Sequence, residues 1–175
     1  MKARDIARMG LCVALMAVCS WIAIPAAVPF TLQTFAVFLA VGFLGGKQGT
    51  MAILAYILLG TVGVPVFAGF AGGIGAILGP TGGYIIGFLA AALVVWGITR
   101  VLGDGIVKLL MAMCAGLLVL YVFGTAWFMV VYAQKVSAVS LWTALSWCVF
   151  PFVLPDAAKV ALAALIARRL RKTGV

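Results

Sequence analysis

One short stretch, Pro155-Asp156-Ala157-Ala158-Lys159, carries the residues best placed to do chemistry in an apolar setting. An acid and a base three residues apart share one face of a helix. Both lie within a run that is otherwise apolar as far as Ala167. Ionisable side chains inside a membrane span are costly and mark functional sites by default. If Arg168 marks the membrane boundary, Lys159 is nine residues deeper, about 14 Å at 1.5 Å per residue. That is near the middle of a hydrocarbon core about 30 Å thick. Pro155 suits the first turn of a helix, which predicts Asp156 at the positive end of that helix's dipole. A helix cap with its counter-ion would explain the pair structurally. Such a pair still suffers a desolvation that an apolar pair avoids, so the residues point to a polar ligand. A carboxylate can meet Lys159, while ring N–H groups can donate to Asp156.

The second candidate is the segment Pro65 to Tyr84, which includes Phe67, Gly72, Gly73, Thr81 and Tyr84. Gly60 through Gly83 holds nine glycines and two prolines. It is too apolar for a flexible linker and too glycine-rich for a helix. Glycine admits left-handed backbone and close approach, and irregular backbone near a membrane is tolerated where it is buried or lines a cavity. The segment therefore predicts a packed lid over a binding site. Gly10 and Ala14 form a third feature, since small residues four apart let another helix approach closely. Packing within the same bundle explains them equally well. Gly45-Gly46-Lys47-Gln48 lacks the hydroxyl residue of a phosphate-binding loop, so no ATPase motif is visible in this chain.

The elements that must position these residues follow from composition. Of 175 residues, 67% are hydrophobic and 9% charged, where soluble domains average about 45–50% apolar and about 25% charged. Only lipid can cover that much apolar surface, so the chain reads as an integral membrane protein crossing the bilayer as α-helices. The intervals Met9 to Gly46 and Gln48 to Thr99 carry no charge. Each is long enough for two spans of about 20 residues. Ile24-Pro25-Ala26-Ala27-Val28-Pro29 breaks the first and the glycine-rich segment breaks the second. Leu109 to Gln134 supplies one span. A last one runs to Ala167 beyond Pro151 and Pro155, preceded by a short helix. The expectation is an all-α membrane protein with six transmembrane helices, a single domain over residues 1–175.

Orientation follows from the cations. With six spans, Lys2, Arg4, Arg8, Lys47, Arg100, Lys108, Arg168, Arg169, Arg171 and Lys172 share one side, and only Lys135 faces the other. The positive-inside rule then makes both termini cytoplasmic. A cleaved leader over Met1 to Ala27 would leave five spans and an exterior new terminus, so the uncleaved count is preferred. The net charge of +9 reads as membrane-flanking charge against the lipid bilayer rather than as a nucleic-acid surface. Cys12, Cys19, Cys114 and Cys148 all lie in apolar stretches without a C-x-x-C pair, and there is no histidine. No metal site or cofactor is expected. With only Asp5, Asp104 and Asp156 as acids, an acid–base enzyme has little support. A self-sufficient secondary carrier or channel for a small carboxylate-bearing solute is the alternative to a transport subunit.

Val28-Pro29-Phe30-Thr31-Leu32-Gln33-Thr34, Gly63-Val64-Pro65-Val66-Phe67-Ala68-Gly69, Gly79-Pro80-Thr81-Gly82-Gly83-Tyr84 and the final Pro-Asp-x-x-Lys before a basic tail together resemble the BioY family. Members of that family are the biotin-binding S components of energy-coupling factor transporters. The resemblance covers nearly the whole chain, in order. It implies a six-helix S-component bundle in a prokaryotic plasma membrane, with both termini cytoplasmic. It also implies biotin binding from outside, and work with a transmembrane coupling protein and a pair of ATPases. Gly10 and Ala14 then face the coupling protein. The glycine-rich loop, with Gly72, Gly73 and Thr81, and Asp156 with Lys159 then contact biotin. Gln33 serves the ureido group, while Phe67 and Tyr84 cover the rings. Some relatives place a polar residue at Ala71 and a basic one at Ile85, which leaves Lys159 as the main partner for the carboxylate.

Overall fold

Residues 2–103 and 105–173 are described by a computed structural model of the chain, so Asp104 lies outside the described residues. The described chain is mostly helix. Its helices are α1 Ala3–Trp21, α2 Gln33–Leu44, α3 Gly46–Thr61, α4 Ile74–Ile77, α5 Gly82–Leu102, α6 Ile106–Lys135, α7 Leu141–Cys148 and α8 Phe150–Lys172. Residues with no side-chain barrier to left-handed backbone stop two of them. Gly45, at φ +82°, lets α2 turn directly into α3, and Gly103, at φ +86°, ends α5.

Among the described residues, three stretches are long and apolar enough by themselves to cross a membrane: α5, α6, and α7 continued by α8. The all-helical membrane class expected from composition is therefore what the chain adopts. Helix α1 has 19 residues but carries Arg4, Asp5 and Arg8 near its start. With 12 residues, α2 is short. It is buried almost all round, which is how a uniformly apolar helix behaves, and it packs against α8, α3, α1 and α5. The other main seam joins α5 to α6.

The two ends of the bundle differ. At one, Arg171 Nε donates to the Phe43 carbonyl at 3.2 Å, and the Arg8 guanidinium lies 5.8 Å from the Phe43 ring centre. The start of α1, the end of α2 and the end of α8 therefore meet there. The other end holds the irregular chain. Where Ile24–Pro29 was expected only to interrupt a helix, β1 Ala23–Ile24 pairs antiparallel with β2 Phe30–Thr31. Backbone groups released from a helix near lipid need partners, and the hairpin supplies them.

The glycine-rich loop contains a 3-10 turn at Ala68–Phe70 and the short α4. Donors from the helices tie it down. Trp21 Nε1 bonds the Pro65 carbonyl at 2.8 Å, Trp127 Nε1 bonds Gly79 at 3.0 Å and Lys135 Nζ bonds Leu78 at 3.3 Å. The Gly73 N–H reaches back to the Gly60 carbonyl at 2.7 Å. Gly82, Gly83 and Tyr84 belong to α5 rather than to this loop. Gly82 is needed for close approach, because a Cβ there would run into the Ile77 backbone.

The expectation for Pro155 fails. Helix α8 begins at Phe150 with Pro151 in its first turn, and Pro155 lies inside it. Two prolines compete for one helix start, and the earlier takes it. Asp156 is therefore nearly two turns from the helix's positive end, and its charge is met by side chains instead.

Candidate functional site

A cavity lies beneath the loop, between the starts of α2 and α5 and the middles of α6 and α8. It encloses about 780 Å³ of unfilled space, part of it open to the outside. Its wall is mainly apolar and aromatic, with Phe67, Tyr84, Phe88 and Phe152 among the lining residues. A few polar groups converge on it, and their arrangement defines what it can hold.

Asp156 and Lys159 form its floor. The Lys159 ammonium donates to Asp156 Oδ1 at 2.8 Å and to the Thr31 carbonyl at 2.7 Å. It also lies 4.0 Å from the centre of the Phe30 ring, a cation–π distance. Tyr121 donates its hydroxyl to Asp156 Oδ2 at 2.8 Å. Asp156 is 3% exposed and Lys159 8%, so both charges are nearly buried. The i,i+3 spacing on α8 brings the two together as the sequence implies. Helix α6 and β2 complete their coordination.

A second polar cluster stands at the start of α2. Gln33 donates its side-chain amide to Tyr56 Oη at 2.8 Å, and Tyr56 donates to the Val66 carbonyl at 2.8 Å. That chain ties the α2 start to the loop through α3. Tyr84, at the start of α5, exchanges a hydrogen bond with Thr125 Oγ1 at 2.9 Å and reaches the Cys148 carbonyl at 3.5 Å. Among the described residues no buried side-chain nitrogen or oxygen lacks a partner.

Of the residues singled out from sequence, Gln33, Phe67, Thr81, Tyr84, Asp156 and Lys159 share this one cavity. Gly72 and Gly73 do not line it. Gly73 starts α4 with φ +86°, and a Cβ on Gly72 would lie 2.6 Å from the Val64 carbonyl oxygen. Both shape the loop that covers the cavity. Gly10 and Ala14 are far from it, exposed on α1, and no atom comes within 4 Å of where a Gly10 Cβ would sit.

Sequence reasoning passed over Tyr121, Tyr56, Thr31 and Thr34. A signal existed for Tyr121. Tyrosines of membrane helices gather at the interfaces, whereas Tyr121 lies midway along the 30 residues of α6. A tyrosine at that depth needs a polar partner, and Asp156 is the acid at matching depth. Thr31 contributes a backbone carbonyl, which no residue type announces.

As chemistry, the site offers adjacent donor and acceptor groups on a net-neutral floor, aromatic walls and a covering loop. It suits a compact solute with an apolar body and a polar edge that both donates and accepts.

Comparisons with known proteins agree on one group. The sequence model of the BioY family matches residues 1–174. A protein of Thermotoga maritima described as a biotin transporter BioY is 41% identical over 173 residues, covering 98% of each chain. One of Pyrococcus horikoshii, described as a probable biotin transporter BioY, is 44% identical over 172 residues, again covering 98% of each. Among solved structures, the S-component for biotin from an ECF-type ABC transporter superposes with a TM-score of 0.86 at 26% identity. That match covers 98% of this chain and 95% of the other.

Proposed function

Since the chain belongs to the BioY family, we propose that it is the biotin-capturing S component of an ATP-driven importer, a transport subunit rather than an enzyme. It forms one transmembrane substrate-binding domain. Helices α1, α2, α3, α5, α6 and α8 make up a six-helix bundle in the plasma membrane of a prokaryote, with both termini in the cytoplasm, a reading supported by the distribution of its cations. Biotin is taken from outside into the cavity beneath the glycine-rich loop.

The observation that carries the proposal is the buried Asp156–Lys159–Tyr121 cluster on the cavity floor. Asp156 and Lys159 are 2.8 Å apart, so one end of a ligand meets both. The ureido group matches them, donating N–H to the Asp156 carboxylate and accepting at its carbonyl oxygen from Lys159. The valerate carboxylate placed there would confront the like charge of Asp156. This differs from the expectation that Lys159 holds the carboxylate, and the reason is the direct contact between the two side chains. Gln33 and Thr34 add polar groups beside the floor, and Phe67 and Tyr84 flank the fused rings. Thr81, half-buried at the start of α5, offers a hydroxyl to the tail.

Delivery needs a coupling module. The exposed face of α1 bearing Ala7, Gly10 and Ala14 is the docking face for a transmembrane coupling protein served by a pair of ATPases.

The test is a titration of the purified chain with biotin, desthiobiotin and biotinamide, beside uptake into vesicles with and without the coupling module. Saturable biotin binding, comparable binding of biotinamide, and uptake only with the module are expected. Absence of biotin binding would sink the proposal. Rejection of biotinamide by orders of magnitude would return the carboxylate to Lys159, and uptake by the chain alone would favour a self-sufficient carrier.

A further inference from the structure

Two walls of the cavity are aromatic, and each leans on a glycine that lies outside it. The ring of Tyr84, on α5, rests against Gly124 of α6. A Cβ built at Gly124 would fall among Cγ, Cδ1 and Cε1 of that ring, far inside van der Waals contact. The tip of the Phe67 ring sits on Gly60 of α3 in the same way. Neither glycine has left-handed backbone, so conformation does not require it. Gly124 stands well inside α6, where alanine would favour the helix. What the position supplies is space.

The rings are also held from other directions. Tyr84 is fixed by Thr125, the residue next to its glycine, and by the Cys148 carbonyl. Phe67 packs edge-on against Tyr56 with centres 5.5 Å apart, and its N–H bonds the Ala71 carbonyl at 3.0 Å. Neither ring can slide along its wall without losing these contacts. A methyl group on Gly124 has the α6 backbone behind it, so it drives the Tyr84 ring toward the cavity.

We propose that Gly124 and Gly60 are specificity-determining positions, which set the width of the cavity by letting Tyr84 and Phe67 stand back from it. They act through the rings and need not touch ligand. The inference rests on the biotin reading and deepens it: these glycines fit the cavity to a rigid fused bicycle. Overpacking a fitted interior displaces its neighbours, and here the displaced ring enters the space of the bicycle. The Asp156–Lys159–Tyr121 floor is left alone.

The test uses the full purified chain. Desthiobiotin keeps the ureido group and the carboxylate tail but lacks the second ring. Gly124→Ala is expected to weaken biotin by about tenfold or more and desthiobiotin by only about two- to threefold, changing their ratio. In a Tyr84→Ala background the same alanine should cost nothing further, because the ring it displaces is gone. Gly97→Ala, at an exposed α5 glycine with no neighbour within 4 Å, is the control and should leave both ligands unchanged. Equal loss of both ligands, or an undiminished penalty in the Tyr84→Ala background, would overturn the proposal. Should Gly124→Ala fail to fold, a folded Gly124→Ala/Tyr84→Ala chain binding as Tyr84→Ala alone supports it, and an unfolded one refutes it. A wild-type chain that ignores biotin refutes the function itself, a distinct outcome.

Discussion

At the cavity, Asp156, Lys159, Tyr121, Gln33 and Tyr56 are satisfied by bonds within the chain. On the outward face of α1, Gly10 meets no other side chain and Ala14 is exposed. The first region is complete within one polypeptide, because buried charge must find partners or not be buried. The second is open, and in the proposed docking its small residues gain a partner only when another helix closes on them. Capture is therefore testable on the isolated chain, whereas delivery is testable only with the second protein present. Packing of Gly10 within its own bundle, which the sequence left open, is not seen, since nothing lies within 4 Å of where its Cβ would sit.

The sharpest way to break this separation is to damage the cavity floor. Lys159→Ala leaves Asp156 buried with Tyr121 alone, and removing one partner of a buried pair typically costs about 3–5 kcal/mol. Biotin affinity should fall by about a hundredfold or more, read by titration of detergent-purified protein. With the ureido group on the floor, biotin and biotinamide should lose alike. A much larger loss for biotin would place the carboxylate at Lys159. Unchanged affinity for both would detach the pair from binding altogether.

The converse variant sharpens the comparison from the other side. Gly10→Leu with Ala14→Leu puts bulk on an exposed face of α1, so biotin binding by the isolated chain should stay within about twofold of normal. Vesicle uptake driven by ATP should drop by about tenfold or more as the partner helix is held away. Co-purification with the coupling protein reports the same event directly. Retained complex and retained uptake would remove this face from coupling. Lost binding in the isolated chain would mean the pair supports the fold.

How much of this was legible in the sequence depends on what kind of signal each feature leaves. The helices were legible because charge-free intervals and proline or glycine breaks are one-dimensional. The Asp156–Lys159 pair was legible because two ionisable residues in an apolar run stand out. The packing of the glycine-rich segment was legible in outline, since glycine-rich apolar chain has few other uses near a membrane, and in the structure Phe67, Ala68 and Ala71 line the cavity. The start of α8 was misplaced because Pro151 and Pro155 both suit a first turn. The bond from Lys159 to the Thr31 carbonyl was invisible, since it joins residues 128 apart in sequence through a backbone atom. Direct contact between Lys159 and Asp156 could be read from spacing, but its consequence for ligand orientation needed the geometry of the whole floor. Gly124 gave no sign at all, being one glycine among 21.

Tyr121 gives the finest test of whether the floor is a self-contained unit. Its hydroxyl donates to the one Asp156 oxygen that Lys159 does not use, so the carboxylate is held from two sides. Tyr121→Phe keeps the ring and its volume and removes only this bond. The protein should fold, because volume-conserving changes in a packed interior are tolerated best. A single hydrogen bond contributes about 0.5–1.5 kcal/mol net, more when one partner is charged. If the bond orients Asp156 toward the ureido N–H groups, affinity for biotin should fall roughly three- to tenfold. In an Asp156→Asn background the same change should matter less, since the two residues form one network. An equal loss in both backgrounds would mean that Tyr121 acts on the cavity independently of Asp156. No loss in either would leave it as a side chain that fills space and satisfies a buried carboxylate, with no part in holding the ligand.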